Sequence, residues 1–178
     1  MEEILDIYDK NGVLLGQKIR SECHKPNVDF YHKAVWVWIF NEKNEILIQQ
    51  RSLSKKIRPG CWLETSVGGH VVSGENLDLA CEREIFEELG IKPTNLKYVQ
   101  KYIFEKGKEI VYLYTAHTDK KISQLTLQEE EVAGAQYISI KEYIEKLSNN
   151  FFGEYQKDYI NIVTNILTKE MGENCEKH

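Results

Sequence analysis

Apolar positions along this chain recur with two different periods, and the changes between them mark its elements. Residues 3 to 18 place Ile4, Leu5 and Ile7 before Asp9-Lys10-Asn11-Gly12, with Val13 to Leu15 after it. Asn-Gly between apolar runs is a strong turn signal, so a small hairpin is expected there. The next stretch, SECHKPNVDFYH, has no period and reads as irregular; it carries His24 and His32. Residues 34–40, AVWVWIF, are β-prone and apolar on both faces, as in a central strand. After a polar turn, EILIQQR at 45–51 reads as its antiparallel neighbour. Leu96 to Phe104 and Ile110 to Ala116 read as two further strands, and Ala135 to Ile140 as a short one. Lys141 to Leu147 reads as a short helix. Tyr155 to Met171 reads as an amphipathic one packed through Ile160, Ile162, Val163, Ile166 and Leu167, with a frayed tail after Gly172. Strands interspersed with helices mean a mixed α/β fold.

Residues 69–91, GHVVSGENLDLACEREIFEELGI, carry both a helical period and a cluster of charge. Asn76 suits a helix start, Asp78 its first turn, and Gly90 a left-handed C-terminal cap. At about 100° per residue, Leu77, Cys81, Ile85 and Leu89 form one apolar stripe. Glu84, Glu87 and Glu88 share a second face roughly 90° away, so these carboxylates flank the buried side. Three like charges on one face destabilise a bare helix and raise one another's pKa values. A hard divalent cation removes that repulsion, and Mg²⁺ favours a few carboxylates plus water and phosphate oxygens. An acidic face taken alone more often means a solvated helix.

Composition narrows the classes. A chain of 178 residues, 42% hydrophobic, is the size of one ordinary globular domain. A net charge of −5 argues against non-specific nucleic-acid binding. It leaves phosphorylated small molecules open, because a bound metal can supply the positive charge. Cys23, Cys61, Cys81 and Cys175 form no C-x-x-C pair and read as reduced thiols. The start, MEEILDIYDK, lacks the basic and apolar regions of a signal peptide, and no apolar run approaches the ~20 residues that span a bilayer. The expectation is a cytoplasmic protein with no membrane partner. Residues 51–60, RSLSKKIRPG, gather Arg51, Lys55, Lys56 and Arg58, either as a diphosphate-binding loop or as a solvated one. Gly68 and Gly69 would admit a phosphate close to the backbone.

With its spacing read out, residues 69–91 contain Gly69, Glu75 six positions on, then Arg83-Glu84-Ile85-Phe86-Glu87-Glu88-Leu89-Gly90-Ile91. This resembles the Nudix box, G-x5-E-x7-R-E-U-x-E-E-x-G-U, at every position. Seven single-residue requirements give a chance match of about one in 10⁸ to 10⁹ per starting position. The resemblance implies one Nudix domain over residues 1–178, with residues 1–30 as an N-terminal hairpin and irregular segment, folded as an α/β/α sandwich around a mixed sheet. It implies hydrolysis of a diphosphate linkage with Mg²⁺, or Mn²⁺ in its place. Glu84, Glu87 and Glu88 would be metal ligands and catalytic groups, and Arg83 would orient them. A loop glutamate among Glu129 to Glu131 is a candidate base. The small-molecule substrate would be a nucleoside di- or triphosphate or a nucleoside diphosphate derivative. A homodimer is compatible with this reading.

A second resemblance covers roughly residues 24–116. HKAVWVWIFNEKNEILIQQRSLSKKIRPGCWLETSVGGH looks like the corresponding part of isopentenyl-diphosphate isomerase, a Nudix-fold enzyme that does not hydrolyse its substrate. That resemblance implies a second metal site at His24, His32, His70 and Glu109. The isomerase's proton-transfer cysteine falls at Gly68 and its second metal glutamate at Gly107, so hydrolysis is preferred. Isomerisation and a non-catalytic binding domain are the alternatives.

Overall fold

Where apolar residues alternate or run together the chain forms strands, and eight of these hydrogen-bond into one mixed sheet in the computed structural model, which describes residues 2–175. In chain order the elements are β1 (Ile4–Tyr8), β2 (Leu14–Ile19), α1 (Arg20–Cys23), β3 (Tyr31–Phe40), β4 (Glu45–Arg51), β5 (Val67–His70), α2 (Leu77–Leu89), β6 (Thr94–Phe104), β7 (Glu109–His117), β8 (Val132–Ser139), α3 (Ile140–Ser148) and α4 (Lys157–Cys175).

The expected hairpin is present, with a wider turn than Asn-Gly alone would make. Tyr8 faces Leu14 across residues 9–13. Asp9 Oδ1 accepts the amides of Asn11 and Val13 at 2.9 and 2.8 Å, which fixes the loop, and Gly12 takes the left-handed step at φ +89°. The stretch expected to be irregular contains the single turn α1, which packs Cys23 against Leu5, Ile7 and Phe30.

β3 is the central strand and begins three residues before the expected Ala34, so His32 lies within it. β7 runs parallel to it from His32 opposite Glu109 to Phe40 opposite His117. The other edge of β3 meets β1, then β5 at Ala34 to Val37, then β4 only at Phe40 opposite Ile46. The expected antiparallel pairing of β4 with β3 is therefore a single contact. β5 occupies that edge, and β4 pairs along its length with β8 instead.

Alternate residues of β3 point into two cores, which is why it is apolar on both faces. Val35, Val37 and Ile39 pack with Ala80, Cys81, Ile85 and Leu89 of α2. Ala34, Trp38 and Phe40 pack with Tyr143 and Leu147 of α3 and Tyr159, Val163 and Leu167 of α4. Helices thus cover both faces of the sheet as an α/β/α sandwich. The buried Trp38 indole donates to the Glu64 carbonyl at 2.9 Å, so its one polar atom is satisfied. α4 continues past Gly172 to Cys175 where fraying was expected; residues 176–178 lie outside the described residues. Among the described residues, no helix is long and apolar enough to cross a membrane.

Candidate active site

The ends of α2 are fixed by the residues its sequence suggests. Asn76 Oδ1 accepts the Asp78 amide at 2.8 Å, and Gly90 closes the helix at φ +68°. A side chain at Gly90 would start 2.6 Å from Thr126 Cβ, so space as well as backbone angle calls for glycine.

Arg83 joins this helix to the loop before it. Its Nε and Nη2 donate to the two oxygens of Glu75 at 2.8 and 2.9 Å, and Nη2 also donates to the His70 carbonyl at 2.9 Å. Nη1 donates to Glu84 at 2.8 Å and Glu87 at 3.3 Å. Such bidentate charge-assisted contacts fix position as well as charge. Burial opposes ionisation of Glu75, yet the Arg83 and Val72 hydrogen bonds hold its carboxyl below the usual value.

The three helix glutamates differ in environment. Glu84 and Glu88 are buried at 8% and 7% exposure, while Glu87 lies at the surface. Burial raises Glu84, with Arg83 opposing. Burial pushes Glu88 up to about 8, opposed by the Gln49 hydrogen bond and aggravated by the charges of Glu84 and Glu131. They divide between two partners: Arg83 for Glu84 and Glu87, Gln49 for Glu88. Their oxygens accordingly do not form a converged three-ligand set among the described residues. Mg²⁺ needs only one or two carboxylates, completing its shell with water and phosphate oxygens, so Glu84 and Glu88 fit such a cation. Two buried carboxyls on one helix otherwise carry a desolvation cost that Arg83 and Gln49 offset only in part, since both remain raised.

Gly69 has a steric role beyond the one expected. A Cβ there would lie 2.0–2.4 Å from the carboxyl atoms of Glu84, so the missing side chain makes room for this glutamate. At Gly68 a Cβ would meet Trp36 at 3.3 Å, on the other face of the sheet.

The basic loop divides. Arg51 Nε donates to the Ile57 carbonyl at 2.8 Å, bracing the loop, and its charge stabilises Glu88. Lys55 pairs with Glu131 at 2.5 Å, and the Ser52 amide donates to the Glu131 carbonyl at 2.8 Å. Lys56 is exposed. Arg58 turns away to the Phe152 carbonyl and the Tyr155 hydroxyl, anchoring the loop to the segment before α4. Lys33 of β3 covers the Tyr8 ring at 4.3 Å. Of Glu129 to Glu131, the charge of Glu131 is felt by Glu88.

The histidines converge. Ligand atoms of His24, His32 and His70 lie within 4.8 Å of one another, and His24 Nε2 is 3.1 Å from His70 Nε2. Both ring nitrogens of the buried His32 lack a hydrogen-bond partner. Burial depresses His32 to about 4 and lowers His24 and His70 as well, so the rings are neutral donors at pH 7. Glu109 Oε1 is 3.8 Å from His32 Nε2, and burial, then the charge of Glu64, pushes its carboxyl up to about 7. Neutral imidazoles with a carboxyl suit Zn²⁺, Mn²⁺ or Fe²⁺ better than Mg²⁺. Periodicity did not reveal Glu3, which lies 3.8 Å from His70 Nδ1 and is bonded to Arg20.

The NUDIX domain family model matches residues 30–157. The chain belongs to the Nudix family. An uncharacterized Nudix hydrolase of Listeria monocytogenes is 39% identical over 160 residues, covering 87% of this Nudix chain and 88% of that protein. Isopentenyl-diphosphate Delta-isomerase of Streptomyces coelicolor is 32% identical over 157 residues, covering 85% and 79% respectively. Nudix hydrolase 3 of Arabidopsis thaliana is 37% identical over 161 residues, 83% of this chain, which spans 20% of that protein's length. A Deinococcus radiodurans crystal structure shares the fold at TM-score 0.71 and 19% identity, over 94% of this chain and 98% of that one. The NUDIX domain of Shewanella oneidensis NrtR, complexed with ADP ribose, does so at 0.56 and 16%, over 78% and 86%. The relatives include both hydrolases and isomerases, and the matches to Nudix hydrolases place this chain among them. Nudix hydrolases generally depend on a divalent metal.

Proposed function

We propose that this Nudix hydrolase cleaves a diphosphate linkage by attack of water on phosphorus, with Mg²⁺, or Mn²⁺ in its place, at the box glutamates. The observation that carries this reading is the pair of buried carboxyls, Glu84 and Glu88, in a complete box where Gly69 leaves space for one of them. When bound, the cation lowers the pKa of water and neutralises charge on phosphate oxygens. Glu84 and Glu88 would hold it, with Glu87 as a third candidate ligand. Arg83 positions Glu84 and Glu87 and does not touch substrate. Glu88 or Glu131 receives the proton from the attacking water. Arg51, Lys55 and Lys56 bind the diphosphate oxygens, for which Lys55 exchanges Glu131 for phosphate.

The organic half is read as a nucleoside, a reading supported by the ADP ribose in the NrtR neighbour. A panel of nucleoside diphosphates, triphosphates and diphosphate sugars, with isopentenyl diphosphate included, tests it through Mg²⁺-dependent release of phosphate or nucleoside monophosphate. Turnover only of isopentenyl diphosphate, to its isomer, would replace hydrolysis with isomerisation. Gly68 and Gly107 argue against that outcome, since neither supplies an acid, a base or a ligand. The complete glutamate set argues against a purely binding domain. The unpartnered nitrogens of His32 support a second reading beside the first, a transition-metal site at His24, His32, His70 and Glu109.

A further inference from the structure

Gln49 is buried beside the box helix, and no step above uses it. It lies in β4 at 2% exposure, and its Nε2 donates to Glu88 Oε2 at 2.8 Å. Its Oε1 is buried with no hydrogen-bond partner. Strand alternation puts Gln49 on the same face as Leu47, which packs with α2, so an apolar residue would satisfy the core here. A buried amide oxygen left unpaired is unfavourable, a cost that Leu or Met would not incur. The orientation follows from chemistry. Once ionised, as a metal ligand is, Glu88 accepts hydrogen bonds and cannot donate them, so the amide NH₂ faces Glu88 and the oxygen points away from it.

An amide with one end on a metal-ligand carboxylate and the other end unfilled matches the outer shell of a hydrated cation. Mg²⁺ keeps several of its waters, each of which needs an acceptor. We propose that Gln49 is a positioning residue of the metal centre, its Nε2 orienting Glu88 and its Oε1 accepting a hydrogen bond from the cation's hydration water. This rests on the reading of Glu84 and Glu88 as metal ligands, and it adds a residue outside the box to that centre. Outer partners of this kind alter metal affinity by about 10–100-fold when removed.

The test is direct Mn²⁺ binding, by electron paramagnetic resonance and calorimetry, to metal-depleted full-length protein, with His32→Ala/His70→Ala as a common background to remove the histidine site. Gln49→Met and Gln49→Leu fill the volume without hydrogen bonds, and Glu88→Gln is the comparison. The expected result is a dissociation constant raised about 10–100-fold in both Gln49 variants, with the metal-free melting temperature kept or raised. Unchanged Mn²⁺ affinity in the Gln49 variants, with a clear loss in Glu88→Gln, would overturn the role of Gln49 alone. Unchanged affinity in all three would overturn the metal reading of the box along with it. Failure of both Gln49 variants to fold would show the residue to be structural and overturn the proposal.

Discussion

Replacing Gly69 with alanine isolates the steric demand of the site. The added Cβ would lie 2.0 Å from Glu84 Cδ, 2.1 Å from Oε1 and 2.4 Å from Oε2, where ordinary contact begins at 3.4 Å. The carboxyl group must move by roughly 1–1.5 Å, and its 2.8 Å bond to Arg83 cannot survive that shift unchanged. Gly69 lies in β5 with no positive φ, so alanine strains the backbone little and the effect reports the collision. A misplacement of about 1 Å can cost roughly 10²-fold in rate, and overpacking costs about 1–3 kcal/mol. Gly69→Ala is therefore expected to keep its fold, melt somewhat lower, and lose about two orders of magnitude in kcat/KM on the best diphosphate of the panel. Gly68→Ala is the control: its Cβ meets Trp36 at 3.3 Å on the opposite face, and activity should stay within about threefold of native. Equal activity in native and Gly69→Ala protein would refute the account of why this glycine is required.

Glu87→Gln and Glu88→Gln should each lower turnover by at least about two orders of magnitude while leaving the circular dichroism spectrum native. Unchanged turnover in both, with Mg²⁺ the only metal supplied, would remove the metal-site assignment. Metal-free protein should lose stability as pH rises from about 7.5 to 9. Burial holds Glu109 near 7 and Glu88 near 8, so the folded state enters that window with protons that the unfolded chain has released. His32, depressed to about 4, and His24 and His70, also lowered by burial, are neutral in the folded state while the unfolded imidazoles still bind protons near pH 6.5, so their opposite slope acts below this window. Melting curves in EDTA at the two pH values check this, and a flat or rising profile counts against it. A transition metal copurifying with the protein should survive dialysis against Mg²⁺ and be lost in His32→Ala/His70→Ala. Elemental analysis finding none, with none taken up on addition, would leave those histidines structural.

What could be read from the sequence was what is local. The α2 helix, its Asn76 and Gly90 caps and its stripe of Cys81, Ile85 and Leu89 follow from spacing within a few turns, and the structure shows all of them. The early start of β3 was hidden because His32 is a polar residue in a fully buried position, which breaks the apolar run. Pairing of β4 with β8 joins residues some ninety positions apart and leaves no mark in periodicity. Glu88 and Glu87 looked equivalent on a helical wheel. Their difference comes from β4, which brings Gln49 over one of them. Nothing in EILIQQR marks Gln49 as buried, because the helix that buries it lies elsewhere in the chain. In the basic loop, four like charges proved unlike: Lys55 is held by Glu131, and Arg58 anchors the loop to the segment before α4.

The central claim is that water attacks phosphorus at the box with a divalent cation. It is tested most directly by running the most rapidly turned-over diphosphate in ¹⁸O-labelled water, with Mg²⁺ and with EDTA, and weighing the products. The account predicts one ¹⁸O in one phosphorus-containing product with Mg²⁺, no reaction in EDTA, and a rate at least about a hundredfold lower in Glu88→Gln. It would be contradicted by product free of ¹⁸O on phosphorus, or by full turnover in EDTA.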